Sequence, residues 1–127
     1  MRTMKKEVKS SDVPASPNIL SQAIDVDGLV FTSGQIHMNT EFKLVGKTME
    51  EKARKVMENL GSVLKAAGLD FTNVIKATVY VTDMKEYSKF NDVYITYFKA
   101  PMPAREVVCV KELPLGASVE VSLVAKK

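Results

Sequence analysis

Residues 48–68 read TMEEKARKVMENLGSVLKAAG, and the chain continues at residues 74–81 with VIKATVYV. In the first stretch, Thr48 and Glu51 have the spacing of a capping box, and Gly68 stands where a helix commonly ends. The second stretch is rich in β-branched residues, which favour strands. These patterns predict a helix over residues 48–67 and a strand over residues 74–81. The apolar face of the helix, at helical spacing, comprises Ala53, Val56, Met57, Leu60, Val63, Leu64 and Ala67.

Upstream of this helix the sequence predicts a β-hairpin. Residues 21–26 and 29–33 flank Asp27-Gly28, a dipeptide that favours the positive φ angles of a tight turn. Residues 13–20 contain two prolines and are expected to form a loop. Residues 5–9 alternate weakly between polar and apolar, which is compatible with an additional edge strand.

Downstream, the pattern predicts a second helix and two further strands. The helix starts at Asp83 and ends before Pro101 and Pro103, because proline disfavours helix in the preceding residue. A strand is expected over residues 105–110, and an alternating strand over residues 118–125. The apolar face of the second helix comprises Tyr87, Phe90, Tyr94, Tyr97 and Phe98.

The predicted order is therefore β-β-α-β-α-β-β, in one domain over residues 1–127. Both helices would pack on one face of a mixed sheet, which is an α+β fold. A single layer of two helices leaves the other sheet face uncovered, so the pattern itself favours oligomerisation.

The composition argues against several classes of protein. The net charge of +3 comes from scattered lysines and arginines, so we do not expect a nucleic acid partner. No apolar run approaches the length of a membrane span, and the polar start does not resemble a secretory signal. The single cysteine, Cys109, cannot form an internal disulfide. We therefore expect a cytoplasmic protein without a membrane association.

The inventory of reactive side chains is short. His37 is the only histidine, and a strand places it about 13 Å from Ser33, too far for a catalytic triad. Neither His37 nor Cys109 has a partner at metal-ligand spacing, so we expect neither a metal nor a cofactor. His37 is expected to be an ordinary surface or loop residue, and Cys109 to be buried packing within its apolar strand.

Arg105 and Glu120 are the candidates for chemistry. Arg105 opens a predicted strand, and its planar guanidinium can hold a carboxylate through two parallel hydrogen bonds. Glu120 lies in the middle of the last strand, and it could act as a general base or hold a water if its face lines a cleft. From the pattern alone, an ordinary surface charge is the favoured interpretation of both residues.

Four segments together resemble the RidA/YjgF family of reactive-imine deaminases, also known as L-PSP endoribonuclease-like proteins. They occur in the family's order over about residues 5–125. The segments are Ser21-Gln22-Ala23, Thr32-Ser33-Gly34-Gln35, Asn91 with Tyr94 and Phe98, and Pro103-Ala104-Arg105 followed by Glu120.

The resemblance implies a chorismate-mutase-like fold and a homotrimer with clefts between subunits. It implies that Arg105 binds the substrate carboxylate and that Glu120 positions or activates a water molecule. Ser33 and Asn91 would lie at the pocket, and main-chain groups near Gly34 and Val107 would help to hold the substrate. The implied reaction is hydrolysis of 2-iminobutanoate or 2-iminopropanoate to the 2-oxo acid and ammonia.

The sequence departs from the family pattern at two places near the implied pocket. Leu20 replaces a tyrosine, and Val107 replaces a cysteine that is frequent in the family. Glu106 follows Arg105, and strand alternation should direct its carboxylate to the opposite face. These departures keep two alternatives open, namely a ligand-binding or regulatory trimer without catalysis, and an RNA-cleaving inhibitor of translation.

Overall fold

The computed structural model describes residues 4–127, which form one mixed sheet covered on one face by two helices. The strands are β1 (Lys6–Val8), β2 (Ala23–Val26), β3 (Leu29–Thr32), β4 (Gln35–Ile36), β5 (Val74–Val81), β6 (Ala104–Cys109) and β7 (Val119–Lys126). The helices are α1 (Met49–Ala66) and α2 (Tyr87–Tyr94). The predicted α+β class is thereby confirmed.

The sheet order is β1-β2-β3-β7-β5-β6, and in the described part of the chain only the pairing of β5 with β6 is parallel. This parallel pair is joined by a crossover that contains α2, which places α2 over the end of the sheet formed by β5 and β6. β3 and β4 both pair with β7, each along a different part of it. Residues 33–34 lie between these two strands and interrupt the strand pairing with β7.

The structure confirms the predicted helix cap, hairpin turn and edge strand. Thr48 caps α1, its side chain accepts a hydrogen bond from the Glu51 N–H, and the reciprocal half of the capping box is present. Asp27 and Gly28 both adopt positive φ in the hairpin turn, with values of 52° and 78°. The possible edge strand at residues 5–9 is present as β1.

The second helix differs from its prediction. Asp83 caps a short 3-10 turn, Met84–Glu86, and α2 itself begins only at Tyr87. A further 3-10 turn, Ile95–Tyr97, follows Tyr94. The predicted apolar face is therefore divided between an α-helix and a 3-10 turn, although Phe90 and Tyr94 are buried as expected.

The core lies between the sheet and the helices. Val119, Val121, Leu123 and Ala125 of β7 are buried, as are Ala77, Val79 and Val81 of β5. Side chains of the intervening residues point to the opposite face of the sheet. In residues 4–127 neither helix covers that opposite face, and Phe31 there is 44% exposed. No helix of the described residues is long and apolar enough to cross a membrane.

Candidate active site

The Arg105 guanidinium is held by side chains of α2. Its Nη1 donates a hydrogen bond to Asn91 Oδ1 (2.8 Å), and its Nη2 donates to the Tyr87 hydroxyl (2.9 Å). The guanidinium carbon lies 4.7 Å from the ring centroid of Tyr94 and 5.6 Å from that of Tyr87. Of the five N–H donors of an arginine, three have no partner among residues 4–127, which is enough to bind a carboxylate.

The sequence explains this arrangement locally. Tyr87, Asn91 and Tyr94 follow one another at spacings of four and three residues, so they share one face of α2. Arg105 pairs with the buried Ala77 of β5, so its side chain points to the helix-covered face of the sheet. A guanidinium has no acceptor, so the amide of Asn91 must present its oxygen to Arg105.

Val107 lies two residues beyond Arg105 on the same face and is half-buried. The N–H of Val110 donates to the carbonyl of Val81 (2.8 Å), which directs the main chain of residue 110 toward β5. Successive strand residues direct their main-chain groups alternately to the two sides of a strand. The N–H and C=O of Arg105 and Val107 therefore point to the outer edge of β6, which no strand of residues 4–127 occupies.

Glu120 lies on the opposite face of the sheet, between its neighbours Tyr80 on β5 and Ile36 on β4. The side chain is half-buried, and within residues 4–127 its carboxylate has neither a hydrogen bond nor an ion pair. Burial raises the pKa of Glu120 above its ordinary value of 4.5. A carboxylate in this condition is suited to accept a proton from water.

Gly34 has a steric reason to be glycine. A Cβ at this position would overlap the Glu120 carboxylate, at 2.7 Å from Cδ. The next residue upstream, Ser33, donates a hydrogen bond from its hydroxyl to the carbonyl of Ser21 (2.6 Å). Ser33 also lines an open recess with Leu20, which is 43% exposed. The interruption between β3 and β4 therefore places Gly34 beside Glu120, and Ser33 precedes Gly34 in the chain.

Within one chain the candidate residues form two separate groups. Arg105, Asn91 and Val107 lie at the edge of the sheet under α2, whereas Glu120 and Gly34 lie on the uncovered face. Glu120 pairs with Tyr80 and Arg105 pairs with Ala77, so Glu120 and Arg105 are offset by three residues along β5. Two strand spacings and this offset give a Cα separation of about 14 Å.

The structure corrects the predicted exposure of two residues. His37 lies in a bend after β4, which fits the predicted loop, but it is not at the surface, because it is only 2% exposed and its Nδ1 lies 2.9 Å from the carbonyl of Val45. Its Nε2 accepts a hydrogen bond from the Ser118 N–H (3.0 Å), so Nδ1 carries the proton. Burial lowers the pKa of His37. Cys109 is not buried but exposed, because β6 is an edge strand.

The prediction about Glu106 is confirmed. Its carboxylate lies 2.7 Å from Lys76 Nζ on the uncovered face, away from Arg105. The sequence interpretation also missed a residue, since Tyr87 was assigned only to the apolar face of the second helix. The signal was available in principle, because Tyr87 precedes the site candidate Asn91 by one helical turn.

Comparisons with known proteins find similarity over almost the whole chain. The family model described as Endoribonuclease L-PSP matches residues 10–127. A 2-iminobutanoate/2-iminopropanoate deaminase from Rattus norvegicus is 40% identical over 123 residues, covering 96% of this chain and 90% of the relative.

Solved structures are similar over almost the whole chain. The yeast protein YEO7 has a TM-score of 0.93 and 34% identity, covering 98% of this chain and 99% of its own. Escherichia coli TdcF, solved with bound serine, has a TM-score of 0.89 and 30% identity, covering 96% of this chain and 98% of its own.

Proposed function

This chain belongs to the RidA/YjgF family, and we propose that it hydrolyses reactive 2-imino acids to 2-oxo acids and ammonia. The observation that carries the proposal is the Arg105 guanidinium, oriented by Asn91 and Tyr87 with donors to spare. The expected substrates are 2-iminobutanoate and 2-iminopropanoate, the compounds named for the rat relative. The serine bound to TdcF is a 2-amino acid, which resembles a 2-imino acid in size and in its carboxylate, and it supports the same ligand class.

The arrangement of Arg105 and Glu120 supports a site shared between chains. Because these residues lie on opposite faces at about 14 Å, one chain cannot bring both to a single small substrate. A neighbouring copy could place its uncovered face, with Glu120 and Gly34, against the edge of β6. We therefore propose a homotrimer whose clefts combine Arg105, Asn91 and Val107 of one subunit with groups of the next.

In the proposed reaction, the substrate enters as the protonated imine, whose C2 is already electrophilic. Arg105 binds the carboxylate, and the outward N–H of Val107 is available for a further hydrogen bond. Glu120 accepts a proton from water as the water oxygen bonds to C2. Glu120 then returns this proton to nitrogen, the C–N bond breaks with its electron pair going to ammonia, and loss of the hydroxyl proton leaves the 2-oxo acid. Orientation and electrostatics supply the acceleration, so the chemistry requires no cofactor.

The alternative of RNA cleavage finds no support at this site. His37, the only histidine, is buried and uses both ring nitrogens within the fold. Histidine acid–base chemistry would require at least one nitrogen that faces a substrate. The cytoplasmic location remains a prediction.

The test is hydrolysis of freshly generated 2-iminobutanoate and 2-iminopropanoate by the wild type and by Arg105→Ala. Loss of a charged two-point carboxylate contact should lower kcat/KM by about thirtyfold or more, equivalent to about 2 kcal/mol. An Arg54→Ala variant serves as a matched control, because Arg54 is exposed on α1 and belongs to neither group of candidate residues. A folded wild type that leaves the rate of imine decay unchanged would refute the proposed activity.

A further inference from the structure

The hydroxyl of Tyr87 is the only phenol oxygen of residues 4–127 that is hydrogen-bonded to Arg105. It accepts a hydrogen bond from Nη2 at 2.9 Å, whereas Asn91 accepts from the other terminal nitrogen, Nη1. Tyr94 contacts the same guanidinium with its ring alone, and its own hydroxyl is buried without a hydrogen-bond partner in the described residues. The two tyrosines therefore have different relations to Arg105.

We propose that Tyr87 is a positioning residue, whose hydroxyl sets the orientation in which Arg105 meets the substrate carboxylate. This inference rests on the proposed function and deepens it. Two-point recognition of a carboxylate requires the plane and the rotation of the guanidinium to be fixed before binding. The stacked ring of Tyr94 restricts the tilt of the plane, and the two bonds at Nη1 and Nη2 restrict rotation within it.

Without the Tyr87 hydroxyl, Asn91 alone would hold one end of the guanidinium. The group could then pivot about the Nη1 bond, and the substrate would have to restore its orientation on binding. The carboxylate is present both in the bound substrate and in the transition state, so this loss affects both equally. Uniform weakening of this kind raises KM and leaves kcat nearly unchanged.

The experiment compares Tyr87→Phe with Tyr97→Phe in the full-length protein. The control removes a hydroxyl from a half-buried tyrosine whose ring packs against Phe71 rather than Arg105. Binding of 2-oxobutanoate, the proposed product, is measured by titration calorimetry, with the uncharged 2-oxobutanamide as a second ligand. KM and kcat for 2-iminobutanoate are measured alongside, and thermal unfolding checks that each variant is folded.

For Tyr87→Phe we expect about tenfold weaker binding of 2-oxobutanoate, unchanged binding of the amide, and a similar rise in KM with kcat within about twofold. Tyr97→Phe should match the wild type. Equal binding of the acid by Tyr87→Phe and wild type would overturn the inference, as would equal losses for acid and amide. If the wild type binds the acid but hydrolyses no imine, the proposed function fails while the binding comparison still decides the role of Tyr87. If the wild type binds no acid, both fail.

Discussion

Mixing two inactive variants should restore activity, because Arg105 and Glu120 of one chain cannot serve the same substrate. The variants are Arg105→Ala and Glu120→Gln, each of which lacks one half of every site. The Cα atoms of Arg105 and Glu120 lie about 14 Å apart, and the two side chains point to opposite faces of the sheet. The two side chains of one chain therefore cannot contact the same small molecule.

The size of the recovery follows from random assembly. In a closed ring, each cleft takes its arginine from one chain and its glutamate from the neighbour. In an equal mixture, half of the arginine donors are intact and half of the neighbouring glutamate donors are intact. About one quarter of the clefts are therefore complete, and the mixture should reach about a quarter of the wild-type activity.

The assay co-expresses the two variants at equal levels with different tags, uses the tags to verify that mixed assemblies form, and follows hydrolysis of 2-iminobutanoate by the whole unfractionated mixture. As a control, the wild type is mixed equally with the double variant. Shared sites predict about one quarter of full activity for this control, whereas sites within one chain predict about one half. Mixed assemblies of the single variants that show no recovery would refute the shared cleft.

Three further predictions concern individual residues. Gly34→Ala should lower kcat with little change in thermal unfolding. Gly34 is not in the left-handed region, and the three atoms nearest to the added Cβ all belong to the movable side chain of Glu120. Full activity in this variant would contradict the placement of Glu120. Folding lowers the pKa of His37 from its ordinary value of 6.5. Between the pKa of the folded chain and that of the unfolded chain, the unfolded chain binds more protons. The free energy of unfolding should therefore rise with pH up to about pH 6.5. Urea unfolding at several pH values measures this dependence, and a His37→Gln variant should lose the rise below pH 6.5. If the variant shows the same dependence of the free energy of unfolding on pH as the wild type, His37 is not its cause. Tyr94→Phe should raise the free energy of unfolding by about 1 kcal/mol, because it removes a buried hydroxyl that has no partner in the described residues. A lower melting temperature for this variant would indicate that the hydroxyl has a stabilising partner.

Local signals in the sequence were sufficient for most of the fold. The capping residues of α1 and the Asp27-Gly28 turn act on their own neighbourhood, so their patterns can be interpreted without the tertiary structure. β4 was not predicted, because a strand of two residues is too short to show a period. This omission also explains the error at His37, whose burial depends on the pairing of the adjacent β4 with β7.

Cys109 shows a second limit of prediction from the sequence. Its apolar neighbours indicated a buried strand, but whether a strand lies at the edge depends on the sheet order, which the pattern did not specify. For the candidate site, the residue pattern singled out Arg105 and Glu120 and the resemblance added their roles, but the sequence could not show that they lie on opposite faces of the sheet. That relation depends on the parallel pairing of β6 with β5 and the antiparallel pairing of β7 on its other side.

The most direct test of the account is a crystal structure of the protein grown with 2-oxobutanoate. We predict that the carboxylate lies on the Arg105 guanidinium of one chain, within about 3 Å of its free N–H groups, and that C2 faces Glu120 of the neighbouring chain. A ligand bound away from Arg105, or a site in which Glu120 of every neighbour is remote from C2, would contradict it.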